Sequence, residues 1–134
     1  MAKQNTKIVV AEVGPRDGLQ SFPRWVSTED KVSIINLLSD AGFRIIEVTS
    51  FAHPEVVPML ADAEAVLERI KRRPGATYRA LVPNKKGAIR AVDSGLVDEI
   101  LGPALRFDAS SHGSGEYCAV GSADDVLIRP LSLA

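Results

Sequence analysis

Three polar residues stand close together just after the first apolar run of this chain. They are Arg16, Asp17 and Gln20, inside the stretch EVGPRDGLQS. An arginine beside a carboxylate, between two glycines, is more than a solvent-exposed turn requires. A carboxylate such as Asp17 can hold a hard divalent cation. A guanidinium keeps its charge and can bind a carboxylate or stabilise a developing enolate. A second apolar run, RIIEVTSF, carries Glu47 at its centre and leads to Thr49, Ser50 and His53. Glu47 can orient a hydroxyl or move a proton. A third run ends at Pro83 and Asn84. Gly14 and Gly18 would let the backbone turn tightly beside a ligand.

Each residue also has a simpler reading. Arg16 and Asp17 make sense as an ion pair in a turn, of little energetic weight if exposed. Glu47 could sit at a sheet edge in water. His53 reads as a loop histidine, because one histidine without partners is poor grounds for a metal site. His112 and Cys118 lie in the tail and look incidental. GPRDG is neither a Walker loop nor a dinucleotide fingerprint.

The elements that must position these residues alternate. The run KIVVAEV predicts a strand closed by Gly14 and Pro15. Ser27 can cap a helix, with Asp30 three residues on. Ile34, Ile35, Leu38 and Ala41 follow at helical spacing, and Gly42 suits the helix end. After strand RIIEVTSF, a second helix is predicted from Val56, Met59, Leu60, Ala63, Val66, Leu67 and Ile70. Lys71, Arg72 and Arg73 would complement its negative end. TYRALVP reads as a third strand. KKGAIRAVDSG reads as a weaker helix, since Gly87 costs about 1 kcal/mol relative to alanine. VDEILG, ending at Gly102, is a fourth strand. Apolar strands alternating with amphipathic helices imply a parallel sheet, and so an α/β fold. An open doubly wound sheet and part of an eight-fold barrel both fit the alternation. In either, ligands bind at the carboxyl ends of the strands, where Arg16, Asp17, Gln20, Glu47, Thr49, Ser50, His53 and Asn84 would converge on one rim.

The totals bound the function. The chain has 134 residues, 46% hydrophobic and 25% charged, with a formal net charge of -1. That gives no electrostatic case for nucleic acid or an acidic membrane surface. No run of about 18 apolar residues predicts a membrane span. The single cysteine, Cys118, suits a reducing, cytoplasmic location.

Taken together, EVGPRDGLQ, then IIEVTSF, then VPN resemble the hydroxymethylglutaryl-CoA lyase family of metal-dependent barrel lyases, over roughly residues 7 to 102. The resemblance implies a partial TIM barrel: three βα units and a fourth strand in residues 1–102, with a divergent tail in residues 103–134. It implies a retro-Claisen cleavage of an acyl-CoA to acetyl-CoA and a keto acid, with Mg2+ or Mn2+. By position, Asp17 is similar to the family's first-strand metal ligand and Arg16 to the arginine that stabilises the enolate. Glu47 is similar to the second-strand catalytic glutamate. Gln20, Ser50 and Asn84 are expected around the substrate. The family's later His-x-His ligands and its cysteine loop have no counterpart here, and a whole barrel takes about 250 residues. The change of character near Pro103 reads as a truncation or a shifted frame, which predicts little core packing from residues 103–134. Two other readings stand beside the lyase: a non-catalytic half-barrel that self-associates to cover its edges, and a small-ligand-binding α/β domain.

Overall fold

The computed structural model describes residues 7–102 and two further strands in the tail. Strand β1 (Ala11–Glu12) is followed by helix α1 (Thr28–Asp40), β2 (Ile45–Ser50), α2 (Ala63–Arg69), β3 (Thr77–Leu81), α3 (Lys85–Ser94) and β4 (Glu99–Gly102). Strands β1 to β4 are parallel neighbours in chain order. A doubly wound sheet would reverse its strand order at a switch point. This sheet does not, and residues from all three helices share one core with a single sheet face. Ile46, Val48, Tyr78, Ala80 and Ile100 from the strands pack with Ile35, Ala63, Val66, Leu67, Ala88 and Ala91. This is singly wound barrel architecture, and it leaves the opposite, inner face to other residues.

The tail strands β5 (Tyr117–Val120) and β6 (Val126–Pro130) extend this sheet in the order β1-β2-β3-β4-β6-β5. Strand β6 runs antiparallel to β4, with Ile128 opposite Ile100. Cys118 lies on β5. His112 and the rest of the tail lie outside the described residues, so the expectation about their packing does too.

Helix α1 starts where the sequence predicts. The Ser27 hydroxyl accepts a hydrogen bond from the Asp30 N–H at 3.1 Å and donates to the Asp30 carboxylate at 2.9 Å. Gly42 takes a φ of 94°, the left-handed conformation that ends the helix. The buried stripe is Lys31, Ile35 and Ser39, whereas Ile34 is exposed.

The second helix is shorter than its periodicity predicts. Only Ala63–Arg69 is helical, Pro58–Leu60 is an isolated 3-10 turn, and Val56 is 75% exposed. Pro58 keeps Val57 out of the α region, as proline does for the residue before it, and a buried ammonium draws on the turn that follows. Lys31 Nζ donates to the Met59 carbonyl at 2.5 Å and to Asp62 Oδ1 at 2.8 Å. The Thr28 hydroxyl donates to Asp62 Oδ2 at 2.7 Å, and Lys31 Nζ also lies 4.1 Å from the centre of the Trp25 ring. Burying an ammonium is tolerable only with such partners, and they hold the chain at Met59 and Asp62 out of a continuous helix. At its far end α2 stops before the basic run, because Ile70 is extended. Arg72 and Arg73 pair instead with Asp98 and Asp40.

The glycine in α3 has a packing reason. A Cβ on Gly87 would lie 2.6 Å from the backbone oxygen of Phe51. Helix α3 therefore approaches the end of β2 more closely than any side chain permits. Helix propensity alone says that Gly87→Ala stabilises by about 1 kcal/mol. The contact reverses the sign: urea denaturation should show Gly87→Ala destabilising by about 1–3 kcal/mol, the usual cost of overpacking. A raised midpoint would refute this account of the helix.

Candidate active site

Strand β1 pairs with β2 only at Ala11 and Glu12, and the apolar run before it is exposed, Ile8 at 85%. The chain then makes one wide π-type turn over Gly14–Gly18, with the N–H groups of Arg16 and Asp17 both bonded to the Val13 carbonyl. Such turns are rare and occur often at functional sites. Pro15, in its first turn, is buried. The Gly14 N–H donates to Glu12 Oε1 at 2.7 Å, and a Cβ there would meet only that flexible carboxylate end, at 2.8 Å. Gly18 has open space around it and no positive φ, so neither glycine serves the turn through a left-handed conformation.

This turn carries Arg16 over the inner face of β2. There Nε donates to Glu47 Oε1 at 2.6 Å, and the Glu47 side chain is 2% exposed. Nη1 donates to Asp17 Oδ1 at 2.9 Å and to Gln20 Oε1 at 3.4 Å, a long contact. Arg16, Asp17, Gln20 and Glu47 thus form one connected group at the carboxyl end of the sheet. The bond to buried Glu47 takes Arg16 beyond a turn ion pair. Its two arms do different work: one is anchored inward, the other meets the 65% exposed Asp17 at the rim.

Ser50 joins this face by an irregularity. The register pairs Glu47 with Arg79, then skips Val48, so that Thr49 faces Ala80 and Ser50 faces Leu81. Simple alternation would have put Thr49 beside Glu47 on the inner face. The bulge re-aims the strand, and Ser50 takes that place instead. Its hydroxyl accepts the Ala52 N–H at 3.1 Å. Asn84 serves locally: its Oδ1 accepts the Gly87 N–H at 2.9 Å and caps α3. His53 is exposed and accepts the Glu55 N–H through Nδ1.

Two further charged residues lie on the same face, and residue-by-residue reading passed over them. Arg79 and Glu99 are paired positions on β3 and β4, in line with Glu47. Arg79 Nε lies 2.9 Å and Nη2 2.8 Å from Glu99 Oε2. The signal was available. Glu99, like Glu47, is a carboxylate inside an apolar strand, and Arg79 alternates with buried Tyr78 and Ala80.

Among the described residues, no three His, Cys, Asp or Glu side chains converge to hold a metal ion. Asp17 keeps Oδ2 at the rim and fits as one carboxylate ligand. Divalent cations of the magnesium and calcium type usually need several oxygens, and the described residues do not enclose one.

Residues 7–100 match the family model described as HMGL-like. The chain is 51% identical over 90 residues to the hydroxymethylglutaryl-CoA lyase YngG of Bacillus subtilis, covering 67% of this chain and 30% of that protein. The solved HMG-CoA lyase of Bacillus subtilis superposes with a TM-score of 0.66 at 50% identity, over 70% of this chain and 31% of that one. An HMG-CoA lyase of Acinetobacter baumannii, solved with coenzyme A and 3-methylmalate, superposes with a TM-score of 0.64 at 49% identity, over 66% and 29%. The chain therefore spans about a third or less of the length of these relatives.

If Arg16 and Glu47 depend on each other, the costs of removing them should not add. Arg16→Gln leaves a buried carboxylate short of its charged partner and should destabilise by roughly 1.5–3 kcal/mol. Arg16→Gln combined with Glu47→Gln should lose less than the sum of the two single variants. Denaturation of all four proteins measures this coupling, and strict additivity would mean the bond is incidental.

Proposed function

The chain belongs to the HMGL-like family, and from that premise we propose that its inner face carries part of the active site of a carbon–carbon lyase of the hydroxymethylglutaryl-CoA type. The substrate class is an acyl-CoA whose acyl part bears a hydroxyl and a carboxylate. The observation that carries this reading is the 2.6 Å bond from Arg16 to buried Glu47, within a segment half identical to named lyases.

In the reaction, a base takes the hydroxyl proton and the carbon–carbon bond breaks. Its electron pair moves to the thioester as an enolate, and a proton completes acetyl-CoA. Arg16 is suited to the enolate step. With Nε held by Glu47 and Nη1 by Asp17 and Gln20, its guanidinium plane is fixed. Nη2 makes no hydrogen bond among the described residues and is left to face a developing oxyanion. A donor set before charge develops needs no reorganisation, which is where such stabilisation gains its strength. Glu47 positions this arginine from within the sheet. Gln20 and Ser50 border the same face and are proposed as substrate neighbours, as is Asn84 through its amide nitrogen. Asp17 is proposed as one ligand of a divalent cation, Mg2+ or Mn2+, which when bound would polarise the substrate oxygens. A cytoplasmic location goes with this reading.

A segment graft tests the proposal. Residues 7–100 of this chain would replace the matching segment of the Bacillus subtilis lyase, with acetyl-CoA release from hydroxymethylglutaryl-CoA as the readout. The graft should turn over. Arg16→Met within it should lower kcat by about 10²–10³, the usual loss for an oxyanion donor, and Asp17→Asn should weaken the metal response. A folded graft without turnover, or one indifferent to Arg16, would sink the lyase reading. The 134-residue chain alone should turn over far more slowly.

A second reading rests on the exposed residues Ile8, Val9 and Val10 beside edge strand β1. Copies of the chain would associate through this edge and cover its apolar side chains. Sedimentation equilibrium should then show a dimer that Val9→Lys disperses.

A further inference from the structure

Barrel interiors are ordinarily filled by layers of branched apolar side chains. One layer here departs from that rule. Glu47, Arg79 and Glu99 sit side by side on β2, β3 and β4, at paired register positions on strands roughly 4.8 Å apart. Glu99 is 2% exposed and the Arg79 side chain 14%. A buried ion pair is a poor device for stability, because well-packed apolar residues of similar volume often do as well or better. A second pair beside the Arg16–Glu47 pair therefore calls for a use.

The geometry of the Arg79 guanidinium indicates one. Nε and Nη2 both point to a single oxygen, Glu99 Oε2. Nη1 makes no hydrogen bond among the described residues. No buried side-chain nitrogen or oxygen there lacks a partner, so Nη1 is not sealed in the interior. The neighbouring inner-face residues Thr77, Leu81 and Leu101 are only half-buried, whereas Glu47 and Ser50 on β2 are fully covered. The open part of the inner face thus lies at β3, and a clamped guanidinium lines it.

We infer that Arg79, held in place by Glu99, is a substrate-binding residue that takes a carboxylate on its free Nη1 edge. Resting on the lyase reading, this assigns it the free carboxylate of the acyl group, while Arg16 serves the reacting end. Glu99 is then a positioning residue. Its carboxylate fixes the guanidinium plane and removes the rotamer freedom that a free arginine would lose on binding.

The test is a titration of the full ¹⁵N-labelled chain with glutarate, in the presence of magnesium, followed by amide shifts and calorimetry. The unmodified chain should bind, with shifts at Arg79 and its strand neighbours. Arg79→Met should weaken binding by about tenfold or more, the loss of a charge-assisted hydrogen bond. Arg79→Lys should recover only part of it, since a point charge replaces a planar fork. Because Arg79→Met strands Glu99 in the interior, the variant Arg79→Met/Glu99→Gln removes both charges and should fold yet bind equally weakly. Glu99→Gln alone should keep most of the affinity. Absence of glutarate binding to the unmodified chain, or undiminished binding by the folded double variant, would overturn the assignment. A graft that fails to turn over while glutarate still depends on Arg79 would remove the lyase reading and leave this site standing.

Discussion

A carboxylate in the interior of a sheet must have a partner, and for Glu47 that partner is Arg16. Transferring an ionised group out of water is costly unless hydrogen bonds to an opposite charge replace its hydration. Glu47 is 31 residues from Arg16 in the chain, yet their side chains are 2.6 Å apart. The demand is met only if the loop after β1 folds back over β2. The wide turn and the buried Pro15 fit that requirement. The same bond decides which arm of the guanidinium faces inward and which faces the rim, so the fold and the disposition of the polar group share one cause.

A second buried cation works at greater distance. Lys31 belongs to α1, but its partners are Met59 and Asp62, between β2 and α2. It ties the helix after the first strand to the loop after the second. The two loops that border the candidate site are thereby held together from behind, and the same contact shortens α2.

Much of this was legible from residue order. Alternating apolar runs gave the parallel sheet, Ser27 marked the start of α1, and Gly42 its end. The convergence of Arg16, Asp17, Gln20 and Glu47 followed from the rule that sites form at strand ends, but the same rule also put His53 and Asn84 on that rim, and they bond instead to the nearby N–H groups of Glu55 and Gly87. What stayed hidden was long-range or register-dependent. Periodicity weighs neither the restriction Pro58 puts on Val57 nor the pull of Lys31 on the Met59 carbonyl, so it extended α2 back to Val56. Propensity cannot see the Phe51 carbonyl that makes Gly87 necessary. Alternation cannot see a bulge, so it could not tell Ser50 from Thr49. Arg79 and Glu99 escaped because each is ordinary alone; only the pairing of β3 with β4 makes them neighbours.

The extra residue at Val48 has a wider effect on the sheet. A regular parallel strand can slip by two positions and still present the same kind of side chain to each layer, which leaves its alignment weakly defined. A strand with one surplus residue has no such translational freedom. Val48 is packed in the core and has no partner on β3, and a slip would move that surplus residue against positions of β3 that are now paired one to one. The irregularity thus acts as a detent: it locks β2 against β3 and fixes the height at which Glu47 meets Arg79.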